Sequence, residues 1–279
     1  MNWFLIDEKI KAWLNEDLHN GDLTTDYLID DSVQVKGNFI AKEAGVIAGL
    51  EVMGRVFQIL DPNIVLENLI SEGSSVDKGD LIAKIAGPAR SILKGERLAL
   101  NILQRLSGIA SQTAQYVRLL EGLQTRVVDT RKTIPGLRYL EKYAVRVGGG
   151  FNHRFNLSDG VLIKDNHIKA CGGITTAVQR AKERIPHTGK VEVEVETLSQ
   201  LEEALAAKAD IIMLDNMDIP TMKRAVELTQ GQAILEASGN ISLANLRAVA
   251  ETGVDIISVG ALTHSVKALD ISLRFIEES

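Results

Sequence analysis

Residues 126–167 constrain the fold of this chain more than any other stretch. An apolar run, Val127-Val128, ends in Asp129-Thr130-Arg131-Lys132-Thr133. A second run, Ala144 to Val147, ends in Gly148-Gly149-Gly150 and then Asn152-His153-Arg154. A third, Val161-Leu162-Ile163, ends in Lys164-Asp165-Asn166-His167. Each time a short β-type run stops and reactive or cationic side chains follow. Parallel strands that aim their carboxyl ends at one pocket produce this pattern. A lone Arg or Lys is ordinarily a solvated surface group, but three such clusters in succession read as a site. The chain as a whole carries a net charge of -6. A cationic pocket in an acidic protein selects a small polyanion rather than nucleic acid.

The alternation continues to the end of the chain. Candidate strands at 126–129, 144–147, 160–163, 191–196, 211–214, 234–237 and 256–259 interleave with candidate helices at 173–185, 198–208, 219–229 and 242–252. Pro220 stands near a helix start, and Gly231 and Gly253 lie just past helix ends. This is the order of a parallel sheet with covering helices, counted here as seven strands.

The first part of the chain has another texture. Leu5, Ile6, Ile10, Trp13 and Leu14 recur at helical spacing, which predicts an amphipathic helix over 5–18 with Trp13 in the core. Gly21-Asp22-Leu23-Thr24-Thr25 reads as a turn capped locally by Asp and Thr. From Val33 to Ile92 short β runs are punctuated by glycine, with Gly73 and Gly79 at turns and a helix over 53–60. A long helix over about 91–123 carries Leu98, Ile102, Leu106, Ile109 and Val117 as its stripe, with Gly108 as a candidate break. We expect an N-terminal domain over 1–105, a second domain over 106–265, and a helix over 266–279 returning to the first.

Composition narrows the class. With 45% apolar and 24% charged residues, this is an ordinary soluble globular chain. Cys171 is the sole cysteine, so an internal disulfide is impossible and a reducing cytoplasm is compatible. The N-terminal MNWFLIDEKIKAWL is too charged for a signal-peptide core, and no run approaches membrane-spanning length. A cytoplasmic protein without a membrane or nucleic-acid partner is expected.

Later strand ends add chemistry of the opposite sign. In Val191-Glu192-Val193-Glu194-Val195-Glu196, alternation puts the three glutamates on one face. In a barrel strand that face points inward, which is costly unless cations or a metal meet it. On an exposed edge strand it would merely be solvated. Asp215 ends the run Ile211–Leu214 and supplies another carboxylate at the same end. Such hard oxygen ligands suit Mg2+, which commonly arrives with a polyphosphate. After the last two candidate strands come Ser238-Gly239-Asn240 and Gly260-Ala261-Leu262. Small residues there let backbone N–H groups approach a phosphate, although either glycine alone could simply make a turn. His264 reads as a helix cap or as support for its neighbours.

The blocks DTRKT, GGGxNHR and IKDNH resemble the signature of the quinolinate phosphoribosyltransferase family, and VEVEVE, LDNM, EASGNI and SVGALTHS extend the likeness. So does the early Glu16-Asp17 with Gly21 to Thr25, so the resemblance covers nearly the whole chain. It implies an α/β fold: an incomplete seven-stranded α/β barrel beside an N-terminal α/β sandwich. It implies transfer of phosphoribose from phosphoribosyl pyrophosphate to quinolinate with decarboxylation, giving nicotinate mononucleotide, pyrophosphate and CO2 in de novo NAD biosynthesis. Under it, Glu194 and Asp215 face the ribose hydroxyls and a Mg2+ ion carried with pyrophosphate, with Glu196 as an accessory. Arg131, His153, Arg154 and Lys164 take quinolinate, whose adjacent carboxylates suit forked guanidinium groups. Lys132 meets pyrophosphate, and Ser238, Gly239, Asn240, Gly260 and Ala261 meet the 5′-phosphate. Asn166 and His167 order the loop after Lys164 or touch ligand. Arg97, in a GER block, reaches a neighbouring subunit's site, which implies a homodimer with shared active sites and leaves a hexamer open.

Two rivals remain at this stage. A paralogue associated with molybdenum transport would keep the fold and change the substrate, against the intact anion-gripping set. A lipoyl- or biotinyl-like carrier would be built around residues 72–85, EGSSVDKGDLIAKI, but the tip lacks a Met-Lys-Met-like lysine. A structural β-sandwich explains that segment better.

Overall fold

A computed structural model describes residues 1–276. The chain divides into two compact units, Met1–Ser111 with the chain from Val266 on, and Gln112–Ser265.

The first unit begins with helices α1 (Trp3–Leu18) and α2 (Leu23–Leu28). The apolar periodicity of α1 buries Ile6, Ile10 and Leu14. Trp13, expected in the core, is only half-buried, because the buried stripe passes through Ile10 and Leu14 beside it. Asp22 caps α2 by accepting the Thr25 amide at 3.0 Å, the local role expected of the Gly21–Thr25 turn. Next come β1 (Gln34–Ala41), β2 (Gly45–Val46), α3 (Leu50–Leu60), β3 (Val65–Asn68), β4 (Ser75–Val76) and β5 (Leu81–Pro88). Helix α4 (Ala89–Leu119) follows and contributes residues to both units.

Strands β1, β3 and β5 join a late strand, β12 (Ile271–Phe275), in an antiparallel sheet of order β12-β1-β5-β3. The helix expected over 266–279 is therefore wrong. Ile271, Leu273 and Phe275 alternate along a strand that pairs with Gly37–Ala41 of β1, and residues 277–279 lie outside the described chain. The carrier hairpin does not form either, since β4 pairs with β2 while β5 pairs with β1 and β3. Gly73 and Gly79 do sit at turns, with φ of 81° and 102°. Phe39 of β1 meets Phe57 of α3 edge-on at 6.2 Å in the core. Gly108 does not break α4. A Cβ there would lie 2.2 Å from the Lys267 carbonyl oxygen, so this glycine permits a close backbone approach.

The second unit holds six parallel strands: β6 (Arg126–Val128), β7 (Val161–Ile163), β8 (Val191–Val195), β9 (Ile211–Asp215), β10 (Ile234–Ser238) and β11 (Ile256–Ser258). Their order is β6-β11-β10-β9-β8-β7, and Phe151 adds a parallel bridge to Val128. Helices α5 (Arg138–Val147), α6 (Asp165–Cys171), α7 (Ile174–Arg184), α8 (Leu198–Ala206), α9 (Ile219–Thr229), α10 (Leu246–Ala250) and α11 (Ala261–His264) lie between the strands in sequence. This is the incomplete α/β barrel, open between Phe151 and β7, where no ladder runs among the described residues.

The run 144–147 is not a strand. It forms the last turn of α5, which buries Leu140, Ala144 and Val145 at helical spacing. The seventh strand position is occupied by Phe151, after the three glycines, where a single bridge replaces a ladder.

Candidate active site

The carboxyl ends of the parallel strands enclose a cleft of 660 Å3. Its basic wall comes from two loops and one strand end: Arg131 and Lys132 after β6, His153 and Arg154 after Phe151, and Lys164 after β7. Its acidic wall comes from Glu194 of β8, Asp215 of β9 and Glu236 of β10. Ser238, the last residue of β10, and Gly239 and Asn240 after it complete the lining from the expected set. Parallel pairing sets the levels of the acids: Glu194 and Glu236 both register with Met213, and Asp215 lies two residues further along, in register with Ser238. Residues in register on neighbouring strands point to the same face.

The inward acidic face of β8 is met by a cation, as its cost requires. Glu192, 4% exposed, places Oε2 3.2 Å from His153 Nε2, and Glu236, 2% exposed, places Oε2 3.5 Å from the same nitrogen. Burial alone would push the His153 imidazole down, but hydrogen bonds to Glu192 and Glu236, and their charges, lift it to about 10. The Arg154 amide works the other way, because it donates to His153 Nδ1 at 2.7 Å and an imidazolium has no lone pair there. Both ring nitrogens are thus engaged by the protein. Burial raises Glu192 above the usual carboxylate range, against its hydrogen bond to His153.

The other cations are arranged differently. Arg154 donates to the Gly160 carbonyl at 2.9 Å, and burial followed by repulsion from Arg131 lowers its pKa from the usual arginine value. Arg131 Nε is buried without a protein partner, as are Glu192 Oε1, Glu236 Oε1 and Ser258 Oγ. Lys164 Nζ bonds Glu194 Oε2 at 2.5 Å and so joins the basic wall to the acidic one. His167 Nδ1 accepts the Lys164 amide at 2.9 Å, which orders the start of α6.

Several expected residues lie elsewhere. Glu196 is exposed beyond the end of β8, its amide bonded to Gln200 at 2.7 Å, and it does not line the cleft. Alternation predicted its face correctly for a longer strand, but the ladder stops at Val195. Gly260 and Ala261 are also outside the lining, although a Cβ on Gly260 would come within 3.1 Å of Lys132 Cδ. His264 bonds Ser265 through Nδ1 at 2.7 Å. Arg97 is exposed on α4 in the first unit. Reasoning from sequence missed Thr130, Leu162, Met213, Asn216, Glu236 and Ser258 as lining residues. Asn216 had one signal, its type: with φ of 54° it takes a left-handed turn that Asn tolerates, and it accepts from Asn240 at 3.1 Å.

Two donor sets could hold a metal. Glu194 and Asp215 offer carboxylates at the ends of adjacent strands, and Mg2+ is commonly held by one or two carboxylates plus substrate phosphates. His153, Glu192 and Glu236 bring ligand atoms within 4.8 Å of one another. An imidazole suits softer ions than Mg2+, and Nε2 contacts of 3.2 and 3.5 Å match an N–H placed between the two carboxylates. Of the two, only the all-oxygen set has the donor chemistry of a Mg2+ site, and one of its oxygens already accepts from Lys164.

Known proteins resemble the chain in sequence and in fold. Residues 22–107 match the model of the quinolinate phosphoribosyl transferase N-terminal domain, and residues 109–274 that of the C-terminal domain. The chain is 47% identical over 279 residues to the probable carboxylating nicotinate-nucleotide pyrophosphorylase of Synechocystis sp., covering 98% of this chain and 94% of that protein. It is 46% identical to the probable enzyme of the same name from Bacillus subtilis, with the same coverage. The crystal structure of NadC from Streptococcus pyogenes superposes with a TM-score of 0.95 at 47% identity, covering 99% of both chains.

Proposed function

The chain belongs to the quinolinate phosphoribosyl transferase family, and we propose that its strand-end cleft is where quinolinate and phosphoribosyl pyrophosphate react. The enzyme is a pentosyltransferase that makes nicotinate mononucleotide, pyrophosphate and CO2 for de novo NAD biosynthesis. None of the relatives named above carries a transport or carrier name. One observation supports the reading above the others: a wall of Arg131, Lys132, Arg154 and Lys164 faces a wall of Glu194 and Asp215 across one cleft.

That polarity fits the two substrates. Quinolinate carries two adjacent carboxylates, and Arg131, Arg154 and Lys164 supply the cations that grip them. His153 remains part of this wall, but with both ring nitrogens engaged it contributes shape rather than a free donor. Positive charge grows on the ribose as pyrophosphate leaves C1, and Glu194 and Asp215 stabilise it while the pyridine nitrogen forms the new bond. Lys132 neutralises the departing pyrophosphate. Mg2+ at Glu194 and Asp215 supplies further neutralisation of phosphate charge when bound. The N-alkylated ring is then an electron sink: the bond from C2 to its carboxylate breaks, CO2 leaves, and C2 takes a proton in place of it. Lys164 and the arginines position the ring throughout.

The loops after β10 and β11, with Ser238, Gly239, Asn240, Gly260 and Ala261, take the 5′-phosphate in this reading, the last two from just outside the cleft lining. Arg97 crosses a two-fold homodimer to the partner's cleft. No helix among the described residues is long and apolar enough to cross a membrane, and the single free cysteine suits a cytoplasmic setting.

Substrate choice tests the proposal. Nicotinic acid lacks one of the two carboxylates and leaves a cation unpaired, which costs a few kcal/mol, or roughly a hundredfold in kcat/KM. Turnover of nicotinic acid comparable to that of quinolinate would overturn the assignment.

A further inference from the structure

The second unit contains a buried ion pair that the reaction itself does not use. Lys142 is 1% exposed and Asp129 is fully buried, and Lys142 Nζ bonds Asp129 Oδ1. Burying two charges in a core is not a cheap source of stability, and a well-packed apolar pair often does as well. What distinguishes this pair is where its hydrogen bonds go. Asp129 also accepts from Asn152 Nδ2 at 2.5 Å and from the His153 amide at 2.9 Å. Lys142 Nζ donates in addition to the His153 carbonyl at 3.0 Å, and the Lys142 carbonyl accepts from Asn152 Nδ2 at 2.9 Å. Asp129 directly follows β6, two positions before Arg131, and His153 directly precedes Arg154. The pair therefore ties together the two segments that carry the guanidinium groups of the cleft.

Those groups need a restraint. Arg131 and Arg154 are close enough for the charge of one to disfavour the charge of the other. Without an anion between them they repel, and the backbone bridge between Val128 and Phe151 stops short of the residues that carry them. Asp129 and Lys142 can supply the restraint without altering the charge of the wall, because together they are neutral. The neighbouring residue on α5, buried Glu141, accepts the Ile134 amide at 3.2 Å and steadies the same β6 loop further on.

We propose that the Asp129–Lys142 pair sets the spacing of Arg131 and Arg154, and thereby the preference of the cleft for carboxylates on adjacent ring atoms. This rests on the quinolinate reading above. Lys142 and Asp129 are positioning residues, since neither lines the cleft.

The test uses benzene-1,2-dicarboxylate and benzene-1,3-dicarboxylate as competitive inhibitors against quinolinate. The wild-type enzyme should favour the 1,2 isomer by about tenfold or more in Ki, as a site built for a paired group rejects the mismatched one. In the neutral double variant Asp129→Asn/Lys142→Met that ratio should fall to within about twofold, while KM for phosphoribosyl pyrophosphate stays within about threefold. A role confined to folding would lower the melting temperature and the active fraction and leave the ratio alone. Asn152→Ala, at an exposed position, removes one tie without a buried charge. It should give an intermediate ratio, and it decides the matter if the double variant does not fold. A folded variant that keeps the wild-type ratio overturns the inference. A wild-type enzyme that does not distinguish the isomers overturns the quinolinate reading and this inference with it.

Discussion

Lys164 stands at the join between the two halves of the cleft, bonded to Glu194 while belonging to the basic wall. The residues on either side of that join should fail in different ways. Under the proposed roles Arg154 grips only quinolinate, so calorimetry on Arg154→Ala should show quinolinate affinity weakened by roughly thirtyfold or more, with phosphoribosyl pyrophosphate binding little changed. Asp215→Asn should leave binding of quinolinate nearly intact and cut the single-turnover rate by roughly a hundredfold, because its charge matters most as the ribose becomes cationic. Loss of the phosphoribosyl ligand and retention of quinolinate in Arg154→Ala would reverse the two halves. The cations after β6 and β7 were readable in sequence because each follows a short apolar strand. His153 and Arg154 were reached through a run at 144–147 that is helical, with Phe151 holding the strand position before them. Glu236 was not readable, since nothing in Ile234–Ser238 tells which side chain of a buried strand meets a histidine from a distant loop. Lys142 was hidden for the same reason: a lone lysine is usually solvated, and only the fold brings it to Asp129.

At the scale of elements, strands were legible where apolar runs ended in turn residues, and the errors fell where a short run was ambiguous. Ala144–Val147 is β-branched enough to suggest a strand, yet the spacing of Leu140, Ala144 and Val145 is helical, and α5 buries it. Ile271–Phe275 falls within the helix expected over 266–279, yet it alternates along a strand, and pairing with β1 fixes it there. The loop after β10 offers a direct test. Gly239 has φ of 94°, and a Cβ there would lie 2.2 Å from Asn216 Oδ1, so neither its backbone nor its surroundings admit a side chain. Gly239→Ala should displace the Asn216–Asn240 contact at a cost of about 1–3 kcal/mol. Under the proposed phosphate role, KM for phosphoribosyl pyrophosphate should rise about tenfold or more while quinolinate affinity holds, since 1.4 kcal/mol is a factor of ten. Equal losses for both substrates would move the 5′-phosphate away from this loop.

For the whole molecule, the proposed homodimer makes a prediction that no single chain can satisfy. Arg97→Ala and Lys164→Ala should each be nearly inactive alone. Unfolded and refolded together, they form mixed dimers in about half of all pairings, and each mixed dimer has one site with both defects and one with neither. Activity should recover to about a quarter of wild type. Mixed dimers without recovery would assign Arg97 to its own chain and end the shared-site proposal, leaving the chemistry untouched. That chemistry is tested most directly by supplying quinolinate labelled in its 2-carboxylate, phosphoribosyl pyrophosphate and Mg2+, and following every product. The account predicts labelled CO2, pyrophosphate and nicotinate mononucleotide in equal amounts, all dependent on quinolinate. Pyrophosphate release without CO2, or a nucleotide product that retains the label, would contradict it.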